Sequence, residues 1–471
     1  MPFWPQPYES TTSHWQQTNR GPTSLWDHGR DAALPAEADY VIVGAGVTGA
    51  SLAYHLTRPG ATAEGKRVVV LDAKDVGSGA SGRNGGHVSP RSFMYLSELW
   101  APLEHGGGGL SMEQSVEAWF FELDNLEYIE RLVKDEGLDV DFWRGERYEV
   151  FTSEERVAEN RAAYAKFTTA IAASRFAGRK LPWTMVDDPA KAKELSRNDR
   201  ALALNIGPAG SWHPHRGVTA LLRLALGSTT SKCDFFSWCP VQAFARAGDG
   251  WALDCGERGT IRAKHVILAT NAYTRHLFPG DTTGLKDHLV PTLAQAGRVV
   301  PPASFAGPRA LDHTYAVELG PYLIQTPHAG LVLGPYIDVL EKGRIHSRAE
   351  LFYQDDDSKV TDGVRRWLQS YCGDDFTGWG QEGPGEGLVH HWSGILAISL
   401  DAQPLVGPVP DHPGLWLAAG YNGHGMAMIV NLTRSLASHL KTGEWDAYMP
   451  RHYAITKERL DRAQKHADKL T

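Results

Sequence analysis

Gly44, Gly46, Gly49 and Asp72 have the types and the spacing to hold a dinucleotide. They lie in residues 38–87, ADYVIVGAGVTGASLAYHLTRPGATAEGKRVVVLDAKDVGSGASGRNGGH. Gly44 permits a tight turn, Gly46 lets backbone approach a pyrophosphate, and Gly49 lets a helix pack closely on a strand. The pyrophosphate would meet free N–H groups at the positive end of that helix. Asp72, 23 residues beyond Gly49, would accept hydrogen bonds from an adenosine ribose. A second loop, Gly420-Tyr421-Asn422-Gly423-His424-Gly425-Met426, repeats the strand–glycine–helix order near the other end of the chain. One nucleotide needs one phosphate loop, so this second helix start suits another electron-rich group, such as the O2 carbonyl of a flavin pyrimidine.

These residues need particular elements behind them. Residues 40–43 and 68–71 are β-branched apolar runs that read as strands buried on both faces. Between them the pattern predicts an amphipathic helix with Leu52, Ala53 and Leu56 on one side. Residues 75–86 hold five glycines with Ser78, Ser81 and Asn84, a loop suited to wrapping a cofactor with backbone donors. Residues 266–269 predict another doubly buried strand, ending in Thr270-Asn271-Ala272, and residues 415–418 a strand before the late loop.

Elsewhere, residues 1–37 read as an irregular arm pinned by Trp15 and Trp26. Residues 113–136 predict a helix with Trp119, Leu123, Leu126 and Ile129 as a core stripe, and residues 156–177 a second helix. Residues 139–151 suggest a strand pair, 240–244 a strand, and 251–255 with 260–263 a hairpin. Helices are expected over 216–226 and 365–370, and strands over 294–300, 322–326 and 331–333.

At 471 residues the chain should hold two domains. A net charge of −8 without basic runs argues against nucleic acid or an acidic membrane surface as partner. No apolar run approaches a membrane span, no signal peptide is evident, and the ending Lys469-Leu470-Thr471 is not a peroxisomal address, which makes cytoplasm the expected setting. Cys233, Cys239, Cys255 and Cys372 form no CxxC pair and read as reduced thiols, with no metal site expected.

The motifs VIVGAGVTGASLAYHL, VVVLDA, SGASGRNGGH, HVILATNAYT, HHWSGILAISLDAQPLVG and GYNGHGM, taken together and in this order, resemble the D-amino-acid-oxidase-like (DAO) family of FAD-dependent oxidoreductases. SGRNGG is closest in look to its γ-glutamylputrescine oxidoreductase-like members. The resemblance implies an α/β plus α+β architecture: a Rossmann-type FAD-binding domain (residues 38–104, 206–289 and 386–445) with an inserted antiparallel-sheet substrate domain (105–205 and 290–385). An N-terminal arm (1–37) and a C-terminal helical tail (446–471) complete the division.

By the same resemblance Gly44, Gly46, Val47, Thr48, Gly49, Asp72 and Ala73 would serve the ADP half of FAD. Ser78, Ser81, Gly82, Arg83, Asn84, Gly85 and Gly86 would line the pyrophosphate and ribityl region, and Val241 would hold the adenine edge. Thr270 and Asn271 would close over the nucleotide, Gly394 joins the flavin segment, and Gly423, His424, Gly425 and Met426 would cap the pyrimidine end. His87 falls beside the isoalloxazine, so His87, His391, Tyr322 and His424 are the candidate catalytic residues, with His390, Trp392 and Gln325 near the substrate.

The implied chemistry is oxidation of a primary or secondary amine by hydride transfer to flavin N5, giving an imine that hydrolyses, with O2 or another acceptor. Sarcosine-oxidase-like members carry a substrate-binding lysine where this chain has Ala427, which argues against a simple α-amino acid. A D-amino-acid or N-methyl-amino-acid oxidase using Arg83 or Arg91, a nicotinamide-dependent reductase, and a non-catalytic flavin-binding protein remain the alternatives. The substrate's identity, the acceptor, covalent attachment of FAD and the oligomeric state stay open.

Overall fold

The computed structural model describes residues 10–105, 107–280, 283–318 and 320–465. The first part of the arm (1–9) and the end of the tail (466–471) lie outside the described residues. Two eight-stranded sheets carry the architecture. In the first, Leu415–Ala419, Thr260–Leu268, Glu37–Val43, Arg67–Leu71 and Lys232–Phe236 run parallel in that order, with Leu405–Pro408 antiparallel at one edge. Ala243–Ala247 and Gly250–Asp254 form a hairpin beside Thr260–Leu268.

Register brings the chemistry together. Val43 pairs with Leu71 and Leu268, and Leu268 with Leu417. Gly44, Asp72, Thr270 and the start of the late loop therefore emerge along one edge, at the carboxyl ends of the parallel strands, where open α/β sheets bind ligands. Val41 and Ile42 of the central strand are both fully buried, because one set of side chains faces helices and the other faces a second apolar cluster. The helix Val47–Thr57 has every residue buried, so in place of an exposed polar face Thr48, Ser51 and His55 find partners in the late loop and the late helix. It lies between Pro214–Leu226 and Ile429–Thr442.

The second sheet runs Gly387–Ser399, Leu289–Val300, Gly330–Pro335, Pro321–Thr326, Thr314–Val317, Trp143–Phe151, Ala203–Ser211 and Thr184–Val186. Its neighbours are antiparallel except for one parallel pair, Thr314–Val317 with Trp143–Phe151. The helix Asp362–Asp375 covers part of one face.

Several expectations are corrected by pairing partners distant in sequence. Residues 139–151 give one strand, Trp143–Phe151, whose antiparallel partner is Ala203–Ser211. The strand expected over 240–244 starts at Ala243, and Lys232–Phe236 is an additional half-exposed edge strand. Residues 260–263 and 266–269 join into the single strand Thr260–Leu268. Residues 206–211 and 387–399 are strands of the second sheet. The helix Met112–Asp135, expected in the substrate domain, packs on Ile429–Thr442 of the first. The arm also contains a short helix, His14–Gln17, closed by a Ser13/Gln16 capping box.

Candidate active site

The first glycine loop can be built only as this sequence has it. Gly44 has φ +111°, and a Cβ there would meet the Ala269 carbonyl oxygen at 2.6 Å. A Cβ on Gly49 would fall 1.9 Å from the Gly44 oxygen. Gly46 is the N-cap of the following helix, and no side chain caps it. The Val47 N–H donates to Ser81 Oγ at 2.8 Å, and Thr48 Oγ1 donates to Tyr421 Oη at 3.2 Å. Asp72 accepts from the N–H groups of Ala45 (2.7 Å) and Lys74 (2.9 Å), so its carboxylate braces the loop. Burial pushes that carboxyl up to about 6. Cys239 N–H donates to the Asp72 carbonyl, which brings the Val241 segment alongside.

The Gly/Ser loop is held from above by the arm and the second sheet. Ser13 Oγ donates to the Gly82 carbonyl, and Trp15 Nε1–H donates to the Asn84 carbonyl at 2.7 Å. Asn84 folds onto its own loop, donating to Ala80 and Ser81 and accepting from Gly86 N–H. Arg83 is not free to bind a substrate carboxylate. Its buried guanidinium donates to the Ser78 and Ser393 carbonyls and to Thr11 Oγ1, with Asp357 3.6 Å away. A Cβ on Gly394 would meet Arg83 Cβ at 3.1 Å, so Gly394 makes room for that side chain. Asn271 likewise spends its side-chain oxygen on the Gly420 N–H, tying two strand ends together, and Thr270 pairs with Thr274.

His87 and Tyr322 meet edge to face at 5.7 Å, and the Tyr322 ring lies against Gly85. Tyr336 also meets the Tyr322 ring edge to face, at 5.7 Å. Burial, with Arg147 adding to it, pulls the His87 imidazole down to about 3, and its Nε2 is buried without a partner. Burial raises the Tyr322 phenol. His424 Nε2 donates to Glu122 Oε2 at 3.0 Å. Burial would raise Glu122, but His424 and Arg91 hold it below the usual carboxylate range.

His391 does not join this group. Neighbouring strand residues point to opposite faces. His390 contacts Thr12, and Trp392 donates to the Arg83 carbonyl, so His391 faces the Asp362–Asp375 helix and Arg365. Gln325 lies on the sheet face opposite Tyr322 for the same reason. Sequence reasoning missed Glu122, Arg147 and Tyr336. Arg147 is half-buried and its charge reaches His87 and His424; its buried Nε has no partner, and its ion pair with Glu149 spans 3.8 Å. Glu122 carried one signal, an acid between Trp119 and Leu126 on a mostly apolar helix face.

A helix start with glycine at its N-cap, a glycine cradle that side chains would fill and an orphaned imidazole nitrogen fit a flavin dinucleotide along this edge. The model of the family named DAO, FAD dependent oxidoreductase, matches residues 39–438. The chain belongs to that family. FAD is its cofactor, and its relatives are amine or amino-acid oxidases and dehydrogenases. A probable oxidoreductase, OrdL, of Rhizobium meliloti is 24% identical over 87% of this chain and 84% of that protein. The mitochondrial dimethylglycine dehydrogenase of Homo sapiens is 23% identical over 86% of this chain but only 43% of its own length, so this chain spans under half of that enzyme. The solved glycine oxidase from Geobacillus kaustophilus shares the fold, with TM-score 0.67, 21% identity, and coverage of 90% of this chain and 99% of that one. Among the described residues, no helix is long and apolar enough to cross a membrane, and no group of three or more His, Cys, Asp or Glu could hold a metal.

Proposed function

We propose that this chain oxidises the C–N bond of a primary or secondary amine, with O2 as the acceptor and the cytoplasm as its setting. Bound FAD supplies the hydride acceptor, at N5, and the imine formed then hydrolyses. Gly44, Gly46, Gly49, Asp72 and Ser81 would hold the ADP half, and the late loop from Gly423 to Met426 would cap the pyrimidine end.

The observation that carries the reading is the His87–Tyr322–Tyr336 cluster, where the edge of the first sheet meets the second. His87 and Tyr322 are half-buried and Tyr336, 39% exposed, stands at the solvent side; an aromatic lining of this kind favours a neutral amine, whose lone pair assists hydride release from the α-carbon. His87 stays neutral there and leaves Nε2 for a ligand contact. Arg147 favours a second reading, a substrate that also carries a carboxylate, as in a D-amino acid or an N-methyl-amino acid. Its charge acts on His87, and its Nε lacks a hydrogen-bonded partner. Incubating the holoprotein in air with a panel of amines and amino acids, then assaying carbonyl product and peroxide, tests both. Product without peroxide would refute O2 as acceptor. No product from any amine would refute the function.

A further inference from the structure

The helix Met112–Asp135 presents Trp119, Glu122 and Asn125 at three-residue intervals on its buried side. Trp119 Nε1–H donates to the Arg91 carbonyl at 2.7 Å. Glu122 Oε2 accepts both the Arg91 backbone N–H at 2.8 Å and His424 Nε2–H at 3.0 Å. Asn125 Nδ2 donates to the Met426 carbonyl at 3.3 Å, and its Oδ1 accepts the Asn431 N–H at 2.9 Å. One helix face thus grips the segment that follows the Gly/Ser loop, the late loop and the first turn of the late helix.

We infer that Glu122 is a positioning residue for the flavin: it fixes the His424 imidazole with its proton on Nε2 and balances the charge of Arg91. This rests on the reading that the late loop caps the pyrimidine end. A carboxylate only accepts, so the ring nitrogen facing Glu122 carries the hydrogen and Nδ1 keeps an acceptor lone pair. An acceptor complements N3–H, the single N–H of an oxidised flavin ring. The Arg91 guanidinium lies over the Tyr95 ring at 3.6 Å and 3.8 Å from Glu122 Oε1. Without the carboxylate that half-buried cation would be poorly compensated, and an electron entering the flavin nearby would feel the difference.

Glu122→Gln separates charge from shape, because an amide oxygen at the Oε2 position still accepts both hydrogen bonds. Glu122→Ala removes both, and His424→Asn tests the loop itself. The readouts are the FAD dissociation constant of reconstituted protein and the flavin midpoint potential from dye equilibration. Glu122→Gln should bind FAD as the parent does and shift the potential upward. Glu122→Ala should weaken FAD about tenfold, as expected for losing buried hydrogen bonds to a charged group. A change in His424→Asn, with parental potential in Glu122→Gln and parental affinity in Glu122→Ala, would overturn the role of Glu122 and leave the loop reading intact. If His424→Asn matches the parent in both readouts, the loop reading fails and takes the proposal with it. Should Glu122→Ala not fold, an unchanged potential in Glu122→Gln is enough to overturn the proposal.

Discussion

Thr48 and Tyr421 meet through their hydroxyls at 3.2 Å, a contact between residues 373 positions apart. It ties the first turn behind the first glycine loop to the late glycine loop. Tyr421→Phe keeps the ring and deletes the link. Its thermal midpoint should fall by the equivalent of about 1 kcal/mol, the usual worth of one buried hydrogen bond. Flavin should also be released faster. Unchanged stability and release would mean the loops are held independently.

Trp15 seals the arm onto the Gly/Ser loop. Its indole is 3% exposed and donates to the Asn84 carbonyl. Trp15→Ala should cost about 3–5 kcal/mol in denaturant unfolding, the range for truncating a large buried ring. Trp15→Phe should recover most of that but leave the Asn84 carbonyl unpaired. If both variants unfold like the parent, the arm is not part of the cooperative unit.

Arg147 separates the two substrate readings. With Arg147→Met, KM for carboxylate-bearing amines should rise about tenfold or more, the loss of one charge-assisted hydrogen bond. KM for amines lacking a carboxylate should stay put. Equal effects on both classes would remove Arg147 from substrate recognition.

Acid sensitivity follows from the buried imidazoles. Burial holds His55, His87, His213 and His452 down at about 3, and His14, His215 and His391 at about 4. Each folded value lies below the ordinary 6.5, so the unfolded chain takes up more protons on acidification. Stability is therefore lost as pH falls from 6.5 towards 4. Asp72, raised to about 6, works the other way, because the folded state protonates it first. The histidines outnumber it, and the thermal midpoint of the holoprotein should fall steadily from about pH 7 to pH 5. A flat profile would contradict neutral, buried imidazoles.

The dinucleotide edge was legible because its parts are local. Strand, Gly44, Gly46, Gly49, helix, strand and Asp72 occupy one short stretch, and each glycine answers a contact made within it or with the adjacent strand. Non-local pairing hid the rest. Nothing in SGRNGG reveals that Arg83 is committed to Ser393 and Asp357, far along the chain. The same holds for residues 206–211 and 387–399, whose sheet is chosen by distant partners. His390, His391 and Trp392 are neighbours in sequence, but strand alternation turns His391 to the face opposite the other two. Glu122 sat inside an apolar stripe and became meaningful only once the late loop arrived beside it.

Amine oxidation on FAD is read from anaerobic mixing of the yellow holoprotein with primary and secondary amines while flavin absorbance is followed. At least one amine should bleach the flavin, with colour restored when O2 is admitted. Flavin that stays oxidised with every amine and amino acid tried, yet bleaches with a chemical reductant, would rule amine oxidation out.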